Sequence, residues 1–165
     1  MLIESTYQWY SDGYSYQSIT GDAYGDPGAL DTTTTYPGFQ NAGEIVFFVQ
    51  VYSGGTSTSS STYEFILRGS ATTDGTDLNG TTVDLLTSPL FTQSGTWCQK
   101  TDPTNGLWFA VVPSIAQSYR YWQAYCNVVT EDTIDLSIFW GLAPKSAVPV
   151  RPNSQVPSET TVTCP

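Results

Sequence analysis

The sequence predicts an all-β fold, an antiparallel β-sandwich or jelly roll with extended N- and C-terminal arms, and three observations lead there. Seven or more β-branched or aromatic segments recur between turn signals at roughly 8 to 12 residue spacing. No segment sustains a helical period. Charged residues make up 12% and aromatics 14% of the 165 residues, which fits neither a disordered chain nor a helical bundle.

The chain divides by composition into three parts of a single domain. Residues 1–43 form an aromatic-rich arm with edge strands, in which Tyr7, Trp9, Tyr10, Tyr14, Tyr16, Tyr24 and Tyr36 lie among turn formers such as Asp12-Gly13, Asp26-Pro27-Gly28 and Pro37-Gly38. Within it, Tyr14 to Thr20 can pair at a sheet edge. Residues 44–143 form the sandwich core. Residues 144–165 contain Pro144, Pro149, Pro152, Pro157 and Pro165 among Ser and Thr, a composition that builds no core and favours an extended arm.

In the core, Ile45-Val46-Phe47-Phe48-Val49-Gln50-Val51-Tyr52 is apolar on both faces, as expected of a central strand covered on each side. Ser53 to Thr62 is a Gly/Ser/Thr loop, after which Tyr63, Phe65 and Leu67 alternate with Glu64, Ile66 and Arg68. The two segments together read as a long-looped hairpin. Further strands are expected at Thr82 to Leu86, Gly95 to Lys100, Leu107 to Val112, Ser118 to Val129 and Thr133 to Gly141. Trp122, Ala124, Cys126 and Val128 share one face, as do Ile134, Leu136, Ile138 and Trp140, so these last two strands read as a core hairpin.

The net charge of -10 repels a phosphate backbone and an anionic membrane surface, so neither nucleic acid nor membrane is an expected partner. With no His, this chain alone cannot assemble an imidazole zinc site, a Ser-His-Asp triad or a Cys-His pair. The start, Met1 to Thr6, has neither a basic nor an apolar region of a secretory signal, and none is expected. Cys98, Cys126 and Cys164 match no zinc or redox spacing and read as thiols of a reducing cytosol.

The carboxylates fall beside Gly, Pro, Thr or Asn, where turn-forming or solvated Asp is the ordinary reading, and a glycosidase would need two of them facing across a cleft. No catalytic residue and no cofactor or metal is therefore expected. Asp74-Gly75-Thr76-Asp77-Leu78-Asn79-Gly80 is oxygen-rich like a calcium loop but fails the EF-hand spacing, and reads as a turn. Trp9, Trp97, Trp108 and Trp122 allow a second reading, a carbohydrate- or receptor-binding module, since exposed aromatic rings stack on sugars. Trp122 and Trp140, in strongly apolar strands, are expected in the core.

The order of features along nearly the whole chain resembles the small β-sandwich capsid cement, or decoration, proteins of tailed bacteriophages. The resemblance rests on Met1-Leu2-Ile3-Glu4, Ser11-Asp12 followed by Gln17-Ser18-Ile19-Thr20, Leu30-Asp31, and Gly43-Glu44 leading into Ile45 to Val51. It continues through Tyr63-Glu64-Phe65-Ile66-Leu67-Arg68-Gly69-Ser70 followed by Asp74, Val111-Val112-Pro113, Tyr119-Arg120-Tyr121-Trp122, and Thr133 to Pro144. The Tyr- and Thr-rich first part and the Pro-rich extension depart from the pattern.

The resemblance implies a virion structural protein made in the bacterial host cytoplasm. It implies a place on the outer face of an expanded icosahedral capsid, as homo-oligomers, trimers at local three-folds, that tie neighbouring major capsid protein subunits together. It supplies no catalytic residues. The contacts with partner subunits are expected at Tyr7, Trp9, Tyr10, Tyr14 and Tyr16, because Tyr and Trp are enriched in interfaces, and at Val148, Val150 and Arg151 of the second arm.

Overall fold

The computed structural model describes residues 8–9, 17–26, 28–33, 44–53, 62–92, 107–113, 116, 118–129 and 136–144. Its strands are β1 (Gln8–Trp9), β2 (Gln17–Ile19), β3 (Ala23–Tyr24), β4 (Leu30–Asp31), β5 (Ile45–Ser53) and β6 (Thr62–Thr73). They continue as β7 (Leu78–Thr87), β8 (Phe91–Thr92), β9 (Leu107–Val111), β10 (Tyr121–Val128) and β11 (Leu136–Pro144). The described residues contain no α-helix.

Two antiparallel sheets pack face to face as a β-sandwich. Sheet I has the order β1-β11-β5-β9, with β2 also on β11, and sheet II the order β3-β10-β6-β7, with β4 also on β10 and β8 also on β6. β1 and β2 lie end to end along one flank of β11, where Trp9 pairs with Trp140 and Ser18 with Ser137. β3 and β4 share a flank of β10 in the same way, as β7 and β8 share a flank of β6. Between β7 and β8, Ser88 continues the ladder by exchanging main-chain and hydroxyl hydrogen bonds with Phe65.

Taken as one interrupted strand each, these pairs leave eight strand positions, ordered 1-8-3-6 in sheet I and 2-7-4-5 in sheet II. Two expectations are corrected by this order. β5 and β6 are not a hairpin, and neither are β10 and β11, because each successive pair is divided between the two sheets. Alternation fixes which face of a strand is buried, and carries no information about which strand lies beside it.

The interior follows the alternation residue by residue. Phe47, Val49 and Val51 of β5 and Leu136, Ile138, Trp140 and Leu142 of β11 meet Tyr63, Phe65 and Leu67 of β6 and Trp122, Ala124 and Cys126 of β10 in one core. Trp122 and Trp140 are both core residues, as their strands predict. Trp140, fully buried, spans the gap between sheets and meets Phe65 edge-on at 6.1 Å.

A buried indole N–H needs an acceptor, and Trp140 Nε1 donates to Gln17 Oε1 at 3.0 Å. The same oxygen accepts from the Asp26 amide, and Gln17 Nε2 donates to the Tyr24 carbonyl at 2.7 Å. One side chain on sheet I thereby fixes the start of sheet II. On the far side of β10, Arg120 forks onto Asp31 through Nε and Nη2, which seats β4.

Gln17→Ala is expected to strand the Trp140 indole N–H and the Tyr24 carbonyl in a site closed to water, at a cost of about 1–3 kcal/mol. Urea denaturation checks this, with the midpoint falling and the slope unchanged; a midpoint equal to the parent's would contradict it.

Candidate functional site

The two outer faces of the sandwich differ in chemistry. On sheet I, Val46 and Phe48 of β5 and Ala143 of β11 point away from the interior, yet are buried, and pack with Phe109 of β9 and Phe139 of β11. Phe48 and Phe139 are tilted against each other at 5.7 Å. β5 is thus apolar and buried on both sides, as its unbroken apolar run predicts. This second layer reaches β9, where Val111 is exposed.

On sheet II the outer face is polar and aromatic. Register places Tyr24 beside Tyr125 and Gln123 beside Arg68, and the two tyrosine rings meet at 4.8 Å. The Arg68 guanidinium lies over the Tyr125 ring at 3.6 Å, donates from Nε to Asp84 at 2.8 Å and reaches the Tyr24 hydroxyl at 3.4 Å. Burial works against the Arg68 charge, and Asp84 and Tyr24 more than offset it, so its pKa stands above the usual value. Burial, then Asp22, raises that of Tyr125. Arg68 therefore stays charged and Tyr125 neutral, and the stack between them persists.

The end of this face is roofed by the Asp74–Gly80 turn. Asp74 Oδ1 accepts from the Thr76 and Asp77 amides, both at 2.9 Å, and these two bonds hold its carboxyl below the usual pKa. Gln123, wholly buried on the outward side of β10, donates to the Gly25 carbonyl and to Asp77 Oδ1 and accepts from the Leu78 amide. The Thr76 carbonyl accepts from the Ala29 amide beside Gly28, which has φ +131° and where a Cβ would collide with that carbonyl oxygen. The carboxylates of this segment are engaged with the chain's own donors, as a turn requires, and the described residues contain no group of three or more metal-ligating side chains.

The sequence-predicted contact residues Tyr7, Tyr10, Tyr14, Tyr16, Val148, Val150 and Arg151 lie outside the described residues, as does Trp97, and of Trp9 only the backbone is described. Trp108 is a correction. Named with Trp9, Trp97 and Trp122 in the second, sugar-stacking reading, it sits in the core with its ring edge-on to Phe47 at 5.8 Å, because β9 turns its even-numbered residues inward. The buried roles of Gln17 and Gln123 are hidden in the sequence, since a polar residue within an alternating strand reads as solvent-facing. The signal that would find Gln123 is its place between Trp122 and Ala124 in a strand with few polar residues.

The fold and these surfaces define an acidic all-β sandwich with one apolar and one polar outer face. No protein-family model matches the chain, and no curated protein matches it significantly.

Cys126 lies in the core, and burial, reinforced by Asp22 and Glu64, pushes its thiol from 9.0 up to about 12. Its protonated form is favoured by folding, so its contribution is intact below pH 9 and lost as pH rises through about 12. Cys126→Ala is expected to flatten part of the stability decline over that window, read from urea midpoints against pH; parallel curves for variant and parent would contradict it.

Proposed function

We propose that this chain is a virion structural protein, a capsid cement protein of the tailed-bacteriophage kind, and that its sandwich is a jelly roll. It binds the outer surface of an expanded icosahedral capsid as a homo-oligomer and stabilises contacts between major capsid protein subunits. The observation that carries this reading is the ordered set of family-like motifs, which falls on the strands in sequence. Gln17-Ser18-Ile19 is β2, Leu30-Asp31 is β4, Glu44 immediately precedes β5, Tyr63 to Ser70 lies in β6, Tyr121-Trp122 opens β10, and Thr133 to Pro144 ends in β11.

The wiring supports it too. Among the described residues the orders 1-8-3-6 and 2-7-4-5 agree with a double-sheet jelly roll, an architecture used by viral capsid and lectin domains. Fold alone does not assign a function, and lectins share this one. Against the carbohydrate-binding alternative, Trp108 and Trp122 are consumed by the core, and the Tyr125 ring face is occupied by Arg68.

The chemistry fits a lattice binder. A rigid body with two terminal arms engages several neighbouring subunits at once, and linked modest contacts gain from effective concentration. The charge of -10 keeps the chain soluble until it meets a complementary shell.

Deletion of residues 146–165 is expected to weaken rebinding to capsids lacking the protein by about tenfold or more, measured by co-sedimentation. Unchanged binding would remove the C-terminal arm from the contact. A glycan array tests the alternative, and specific glycan binding with no binding to capsids would replace the cement reading.

A further inference from the structure

A sheet edge offers unpaired N–H and C=O groups to any passing strand, and folded proteins blunt such edges with short strands, bulges, charges or proline. Three of the four edges here are blunted. β1 and β2 span two and three residues, and β3 and β4 two each. β7 has two register shifts against β6, Gly80 at φ +72° and the charge of Asp84.

β9 has none of these devices. Its five residues, Leu-Trp-Phe-Ala-Val, run in unbroken register with β5, and among the described residues no strand pairs with its other side. No Asp, Glu, Lys or Arg occurs anywhere in residues 103–119. Val111, at the end of the strand, is 39% exposed.

The backbone phase of this edge follows from one hydrogen bond. The Val112 amide donates to the Ile45 carbonyl at 2.8 Å, so residues 112, 110 and 108 turn their polar groups toward β5. Residues 107, 109 and 111 then turn theirs to the open side. That set is symmetric about Phe109. An identical strand laid antiparallel across a two-fold axis at Phe109 pairs residue 107 with 111 and Phe109 with its own copy, each in the hydrogen-bonded register, for about six new bonds.

We propose that β9 is a homodimerisation edge, joined to β9 of a second copy about a two-fold axis through Phe109. A second copy is the occupant this edge fits, because its hydrogen-bonding pattern is its own complement, as an isologous contact requires. Charge selects it as well. A chain with net charge -10 opposes its own association, and this stretch lets two copies meet without apposing like charges. The contact merges the two copies of sheet I, and Phe109 carries the outer apolar layer of Val46, Phe48 and Phe139 across the axis. It gives a two-fold association in place of the three-fold that the family resemblance implies, and it holds whether or not the chain binds capsids.

The test is the mass of the full-length chain by sedimentation equilibrium over a dilution series. The expected result is a reversible species of twice 18.0 kDa. V111P removes an amide that faces the open side and leaves the β5 ladder whole, and V111K places a charge at the same point. Each is expected to raise the dimer dissociation constant about a hundredfold, with circular dichroism and thermal midpoint near the parent's. V129K, a charge at an exposed valine just past the end of β10 on the other sheet, is expected to leave the dimer intact. A monomeric parent, a trimeric parent, or a dimer indifferent to both Val111 substitutions would overturn the proposal.

Discussion

The hydrogen bond from the Trp140 indole to Gln17 is the constraint on which the arrangement of the two sheets depends. Trp140 is the largest side chain sealed inside the sandwich, and a sealed indole N–H without an acceptor costs more than its hydrogen bond returns in water. Gln17 can supply that acceptor only if β2 lies beside β11. Its amide nitrogen, bound to the Tyr24 carbonyl seven residues on, then requires the chain to cross at once to sheet II. The N-terminal strands are thereby part of the core's closure. Gln123 does the corresponding work on the outward side of sheet II, where it joins the β6–β7 turn to the Gly25 backbone.

Much of this fold was legible in the sequence because a strand's period of two is written directly in its side chains. The inward rows Tyr63-Phe65-Leu67 and Trp122-Ala124-Cys126, and the doubly apolar β5, are found where alternation puts them. Partnership was not legible. β5 and β6, and β10 and β11, are neighbours in sequence and belong to opposite sheets, since the order of each sheet spreads a strand's partners along the chain. Trp108 shows a second limit. The expected strand Leu107 to Val112 contains this residue, but a five-residue strand with apolar residues at every position does not say which parity faces the core, and in β9 the even positions turn inward.

The candidate contact residues of the two arms were chosen by composition, and they lie outside the described residues, so the surfaces now open to argument are those of the sandwich. Sheet II spends its aromatic and charged groups on each other: Arg68 is shared among Tyr125, Asp84 and Tyr24, and Asp74 and Asp77 close their own turn. Sheet I does the reverse. Its outer side buries the apolar cluster of Val46, Phe48, Phe109, Phe139 and Ala143, which runs out to β9, a strand edge without charged residues. For a chain of this net charge, an apolar, uncharged route is the one by which protein surfaces meet it with least repulsion. This asymmetry suits a component that meets other protein through its apolar edge and assembles on a repeating surface.

The cement reading is tested most directly by the copy number of this chain relative to the major capsid protein in purified virus particles, measured by quantitative mass spectrometry. The account predicts a copy number comparable to that of the capsid subunits, since a protein that ties neighbouring subunits together must be present over the whole lattice. A number far below this would move the chain to a tail or fibre, and its absence from particles would contradict the account outright.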